Sequence, residues 1–231
     1  MVVLSREDWL NSVISELESA ILKVVQNDLH FNLAISGGNT PISLFERMAI
    51  KFADDDLWRS FAAFVNIFWI DERPVPVDNP QSNVGSALKY LKNTGMNIFP
   101  INGDAPDLSK EAQVYQRSIG NRIKVNENRL PIFDVILLGV GEDGHVASLF
   151  PESNGLLENE KWVIANWVPQ LAQTRLTLTF PVILASQQIW MLSNKQKLGL
   201  IEDVLEGKLN NLPINYLIDN YPQAIRWFIT E

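Results

Sequence analysis

A histidine at the end of a glycine-rich turn is the first candidate for chemistry in this chain. His145 follows Gly139-Val140-Gly141-Glu142-Asp143-Gly144 and leads into Val146 to Pro151. A neutral imidazole can take a proton from water near physiological pH, so this residue type in this setting points to general-base chemistry. Glu142 or Asp143 could orient the ring or position water. The three glycines loosen the turn and could bring backbone amides, that of Gly141 among them, close to a ligand. The plainer alternative is a histidine held for structure alone. The chain's other histidine, His30, lies between a polar turn and an apolar run and reads as a boundary residue.

Three further segments could hold an anion. In Ser36-Gly37-Gly38-Asn39-Thr40-Pro41, paired glycines permit a tight turn with exposed amides, and a following helix would aim its positive end at the same place. Ser36 and Thr40 could add hydroxyl donors. Thr40-Pro41 reads as a helix start, with Thr40 as cap and Pro41 at the first position, and that structural role is the competing explanation. The triplet Asp71-Glu72-Arg73 supplies a guanidinium with planar donors for a phosphate or carboxylate, with one of its acids available to orient it. Alone, it could equally be a surface charge cluster. Arg175 opens the alternating stretch Arg175 to Pro181, and Lys195 and Lys197 sit at a helix start, where the dipole disfavours a cation unless an anion is near.

The elements that would position these segments are short. Ser5 and Asp8 cap a first helix ending before Asn27-Asp28. Phe31 to Ile35, Val65 to Ile70 and Ile132 to Leu138 are nearly continuous apolar strands, each ending at one of the unusual sequences. Helices are predicted after Thr40, near Ser82, over Ser109 to Val125 with Gly120 weakening its end, and over Lys195 to Leu205. A short helix is predicted for His145 to Phe150. Trp162 to Trp167, Ile189 to Leu192 and Ile225 to Ile229 add apolar segments, and the tryptophans in them are assigned to core packing. Strands alternating with helices predict an α/β fold, a three-layer α/β/α Rossmann-like arrangement around a mostly parallel sheet. Ligands in such sheets bind beyond the carboxyl ends of the strands, so segments distant in sequence could line one crevice.

Composition narrows the functions. The 231 residues fit a single catalytic α/β domain over 1–231, with a small subsidiary lobe as the alternative arrangement. Without cysteine there is no thiolate nucleophile, disulfide or cysteine metal site, and two histidines cannot build a multi-histidine zinc centre. Asp54-Asp55-Asp56 lacks calcium-loop spacing and reads as a solvated connection or helix cap. Ser36 and Ser148 lack a nucleophile-elbow sequence. A net charge of -8 argues against a nucleic-acid partner yet leaves room for a small anion focused in one cleft. No membrane span or export signal is recognised, so a soluble, cytoplasmic protein is expected.

Taken together, Ser36 to Pro41, Asp71 to Pro76 with Ser82-Asn83, Leu138 to Pro151, Arg175 to Thr179 and the Lys197 region resemble the 6-phosphogluconolactonase family, within the group that also contains glucosamine-6-phosphate deaminases. The resemblance implies hydrolysis of 6-phospho-D-glucono-1,5-lactone to 6-phosphogluconate in the oxidative pentose phosphate pathway, with no metal or organic cofactor. It implies catalytic roles for His145, Arg73 and Asp143. Substrate and phosphate would be held by Gly37, Gly38, Asn39, Thr40, Asp71, Arg73, Gly141, Arg175 and Lys197, so the partner is a small anionic sugar lactone; oligomeric state is left open. Three places depart from the family pattern: Asn39 before Thr-Pro, Asn79 and Gln81 before Ser-Asn, and Leu171-Ala172-Gln173 ahead of the Arg175 motif. Two other readings remain: an amino-sugar phosphate isomerase-deaminase, against which the Asp143 to Pro151 continuation speaks, and a noncatalytic sugar-phosphate sensor.

Overall fold

The computed structural model describes residues 1–221 and 223–231. After β1 (Val3–Leu4), helix α1 (Arg6–Val25) begins at Ser5, whose hydroxyl accepts the Asp8 amide at 3.2 Å and donates to the Asp8 carboxylate at 2.6 Å. Trp9, Leu10, Val13, Ile14, Leu17 and Ile21 recur at helical spacing and are buried. β2 (Phe31–Ile35) is buried along its whole length. α2 (Ile42–Asp54) and α3 (Asp56–Phe61) follow, the second capped by Asp55, which accepts the Leu57 and Trp58 amides. The aspartate run is thus a helix cap.

β3 (Val65–Trp69) leads through Ile70 into a two-residue strand, β4 (Asp71–Glu72), and then α4 (Asn83–Leu91), capped by Ser82. β5 (Asn97–Phe99), α5 (Leu108–Gly120) and β6 (Val135–Leu138) complete the first half. The helix stops at Gly120, and β6 begins three residues later than the apolar run suggests; just before it Asp134 is tied to β2, its carboxylate accepting the Asn32 amide at 2.7 Å and its own amide donating to the Asn32 carbonyl at 3.0 Å. β7 (Val163–Val168) and β8 (Gln173–Leu178) form a hairpin, followed by α6 (Phe180–Leu184), β9 (Ile189–Asn194), α7 (Leu198–Leu205), α8 (Pro213–Asn220) and β10 (Arg226–Thr230).

The strands make two sheets. One is seven-stranded in the order β1-β10-β9-β6-β2-β3-β5, every pairing parallel. The other is a small antiparallel sheet, β4-β8-β7. Helices flank the parallel sheet, giving the α/β/α architecture. From β2 the chain winds outward through β3 and β5, whereas β6, β9 and β10 wind the other way. The switch point lies between β2 and β6, where adjacent connections diverge and leave a crevice beyond the strand ends.

Three local expectations are corrected. His145 to Phe150 is not helical: Val146 and Leu149 bridge across a tight turn in which Ala147 takes φ 53°, a left-handed conformation that breaks any helix. Thr40 does not cap α2, whose boundary residue is Pro41 with no side-chain cap. Trp167 is not core but 53% exposed on the hairpin, while Trp69 and Trp190 are fully buried. Among the described residues, no helix is long and apolar enough to cross a membrane.

Candidate active site

One cavity of about 360 Å³ opens at the switch point. Its wall is built from the turn after β2, the turn after β6, the residues around β4 and β8, and the segment from β9 into α7. Gly37, Gly38, Asn39, Thr40, Asp71, Arg73, Gly141, His145, Arg175 and Lys197, all singled out in the sequence, line it together. Asp143 reaches it only through His145.

The β6 turn folds back on itself, with the Gly141 amide donating to the His145 carbonyl at 2.9 Å and the Gly144 amide to the Gly141 carbonyl at 3.2 Å. His145 Nδ1 lies 2.6 Å from Asp143 Oδ1, which also accepts the His145 amide at 3.1 Å. A neutral ring donating from Nδ1 keeps its lone pair on Nε2, the form a general base requires. The ring lies so close to Gly141 that a Cβ there would sit 2.1 Å from Cε1 and Nδ1. Glycine is therefore a spatial requirement of the histidine. On Phe150 the imidazole stacks with centroids 3.9 Å apart and planes 21° from parallel.

The β2 turn meets the cavity at the start of α2. Helix amides there lack a side-chain cap, and Thr40 and Pro41, just ahead of the first turn, line the cavity. The start of α4 is different. Buried Glu72 accepts the Asn83 and Val84 amides and the Ser82 hydroxyl at 2.7–2.8 Å, and with the Arg73 amide this gives four donors on one carboxylate. Burial pushes the Glu72 carboxyl upward, opposed by those donors. An anion thus occupies one helix start and none occupies the other.

Asp71 ties the small sheet to both turns. Its Oδ2 accepts the Ser148 hydroxyl at 2.7 Å, and its backbone carbonyl accepts Asn83 Nδ2 at 3.0 Å. That bond turns Asn83 Oδ1 toward Gly37, where a Cβ would come within 1.8 Å of it. Asn83 and Ser148, both buried and both lining the cavity, were missed as site residues. The Ser82-Asn83 pair carried a signal, because it follows the acidic strand end by one helix cap; Ser148 carried none beyond its place after the histidine.

Three cations converge. Among the described residues, neither Arg73 nor Arg175 has a carboxylate within salt-bridge distance; Arg73 Nη1 donates to the Gln81 carbonyl and Arg175 Nε to Gln173 Oε1 at 2.8 Å. Burial, and next the charge of Arg73, push the Arg175 guanidinium downward from its ordinary value, with Asp71 and Glu72 opposing. Two cations that repel each other in a cavity are suited to an anionic ligand. Lys197 is paired with Glu142 at 2.9 Å, an exposed carboxylate whose pKa this lysine lowers. No group of three or more His, Asp or Glu side chains among the described residues could hold a metal ion.

Known proteins share this arrangement of sequence and fold. The family model for glucosamine-6-phosphate isomerases/6-phosphogluconolactonase matches residues 5–227. A 6-phosphogluconolactonase of Synechocystis sp. is 33% identical over 186 residues, covering 79% of this chain and 74% of that one. The crystal structure of a 6-phosphogluconolactonase from Shewanella baltica superposes with a TM-score of 0.84 at 24% identity, over 99% of this chain and 96% of that one. A monomeric glucosamine-6-phosphate deaminase also superposes, with a TM-score of 0.76 at 18% identity over 100% of this chain and 98% of that one. The fold is thus common to proteins of both activities, while the 33%-identical relative is a 6-phosphogluconolactonase. The chain belongs to the glucosamine-6-phosphate isomerase/6-phosphogluconolactonase family, on its 6-phosphogluconolactonase side.

Proposed function

We propose that this protein hydrolyses 6-phospho-D-glucono-1,5-lactone to 6-phosphogluconate, the lactone-opening step of the oxidative pentose phosphate pathway. The observation that carries the reading is a histidine held by Asp143 through Nδ1, in the same cavity as two guanidinium groups without carboxylate partners. In this reading both sheets serve one catalytic unit over 1–231. In the same reading the enzyme is cytoplasmic.

The phosphate sits against Gly37, Gly38, Asn39 and Thr40 at the open start of α2, clamped by Arg175 and Lys197 through charge-assisted hydrogen bonds. Anchoring the phosphate fixes the lactone ring relative to His145. Nε2 takes a proton from water as the water oxygen bonds to the lactone carbonyl carbon. Negative charge on the carbonyl oxygen meets Arg73, whose donors also extend the anion-binding wall. Collapse breaks the bond to the ring oxygen, and the imidazolium returns its proton there. Asp143 holds the ring and steadies its charged form; Asp71 keeps Asn83 and Ser148 in place. The carboxylic acid product ionises, releasing one proton per turnover at neutral pH.

That proton is the test. Freshly formed 6-phosphogluconolactone should give enzyme-dependent proton release above spontaneous hydrolysis, and glucosamine 6-phosphate should give no ammonia. Ammonia release without lactone hydrolysis would establish the deaminase instead. Binding of the lactone in calorimetry without acceleration would make the protein a sensor.

A further inference from the structure

We propose that Phe150 is a positioning residue for His145, setting the plane of the imidazole as Asp143 sets its edge. The inference rests on His145 being the base and concerns how that base is held.

The hydrogen bond to Asp143 is by itself a weak constraint. Asp143 lies 42% exposed on a turn, where water competes for its carboxylate, and a single bond at Nδ1 leaves the ring free to swing about it. The Phe150 ring removes that freedom. It is 6% exposed, lines the cavity and stacks on the imidazole with centroids 3.9 Å apart, while Gly141 leaves no room for the ring to move toward the turn.

The backbone explains how two residues five apart can stack. In a helix, at about 100° per residue, they would project roughly 140° apart, and the rings could not meet. The left-handed Ala147 reverses the chain instead, closed by the Leu149 amide on the Val146 carbonyl at 3.0 Å. Beyond it the Phe150 carbonyl accepts the Ser153 amide at 3.1 Å and its hydroxyl at 2.8 Å. Buried Asn166 of β7 holds both ends of this loop. Its Nδ2 donates to the Ser148 carbonyl at 2.9 Å and to Ser153 Oγ at 3.0 Å, and its Oδ1 accepts the Gly155 amide at 3.0 Å. All three of its side-chain hydrogen bonds go to the segment that carries Phe150, so the small sheet reaches the base through this aromatic ring.

The test uses the whole protein with Phe150→Leu, which keeps an apolar side chain without a flat face, and Phe150→Tyr, which keeps the face. Phe150→Met replaces the leucine variant should that protein fail to fold. Steady-state hydrolysis of fresh lactone is read together with the ¹⁵N spectrum of the His145 ring. Expected for the leucine variant are turnover about tenfold lower with KM nearly unchanged, and a ring no longer held as one Nδ1-protonated tautomer. The tyrosine variant should keep both turnover and tautomer. Near-normal turnover and an unchanged ring spectrum in the leucine variant would overturn the proposal, as would equal losses in the leucine and tyrosine variants. The ring spectrum is independent of the reaction. If His145→Gln retained full turnover, the base assignment would fail while the spectrum still showed whether Phe150 positions the ring.

Discussion

The two ends of the parallel sheet treat their polar groups in opposite ways. At the amino end, Asp134 accepts the Asn32 amide, Asn66 Nδ2 donates to Asn32 Oδ1 at 2.9 Å, and Asn97 Nδ2 donates to Asn66 Oδ1 at 3.1 Å. This ladder crosses β2, β3 and β5 and satisfies itself. At the carboxyl end, among the described residues, Arg73 and Arg175 have no carboxylate within salt-bridge distance, α2 starts without a side-chain cap, and the Arg73 Nε is buried without an acceptor. Closed polar networks fix register; open ones await a ligand. The same residue chemistry, amides and charges beside apolar strands, thus serves structure at one end and binding at the other.

Substitutions can break this contrast. The largest effect belongs to His145→Gln, which should lower kcat by about 10²- to 10⁴-fold in steady-state hydrolysis while leaving the thermal midpoint near that of the wild type. Arg175→Ala should act on binding: a lost charge-assisted contact raises KM for the phosphorylated lactone by about 10- to 100-fold with a much smaller change in kcat.

Opposite behaviour is expected at the amino end, where Asp134→Ala should cost about 1–3 kcal/mol in denaturant unfolding and leave KM and kcat alone. Burial raises the Asp134 carboxyl above its ordinary value. The folded state therefore holds this proton more tightly than the unfolded chain does. Its contribution to stability is full below the ordinary carboxylate range and is lost as pH rises through the folded value. Thermal midpoints of wild type and Asp134→Asn, compared from about pH 4 to about pH 7, should differ by just such a falling slope. The smallest effect is at the pair between exposed Glu142 and largely buried Lys197, where Glu142→Gln should free Lys197 and lower KM by at most about fivefold.

Much of this contrast was legible in the sequence, unevenly. β2 could be delimited to the residue because a five-residue run, apolar but for Asn32, ends at Ser36 and a double glycine, and α1 because Ser5 and Asp8 announce its start. The carboxyl-end residues stood out since glycines, an arginine and a histidine are costly to place directly after core strands. The small sheet did not show. β4 is two residues long, and its pairing with β8 joins Asp71 to Thr177 across more than 100 positions, a partnership that no local pattern encodes. The amino-end ladder was hidden for a related reason: Asn32 and Asn66 look like interruptions until the register places them side by side. The helix predicted after His145 followed apolar spacing alone. Val146 and Leu149 do lie three apart and are buried, but an alanine with positive φ turns them into a bridge. Such strain is supplied by the surrounding loop and Asn166, far along the chain.

The central claim is that His145 performs the chemistry while Arg175 and its neighbours hold the phosphate. It is tested most directly by measuring hydrolysis of the phosphorylated lactone and of its unphosphorylated counterpart by wild type, His145→Gln and Arg175→Ala, each corrected for spontaneous opening. Wild type should strongly prefer the phosphorylated lactone; His145→Gln should lose turnover on both and keep the preference, whereas Arg175→Ala should lose the preference and keep turnover at saturation. Near-normal turnover in His145→Gln, or an undiminished preference in Arg175→Ala, would contradict it.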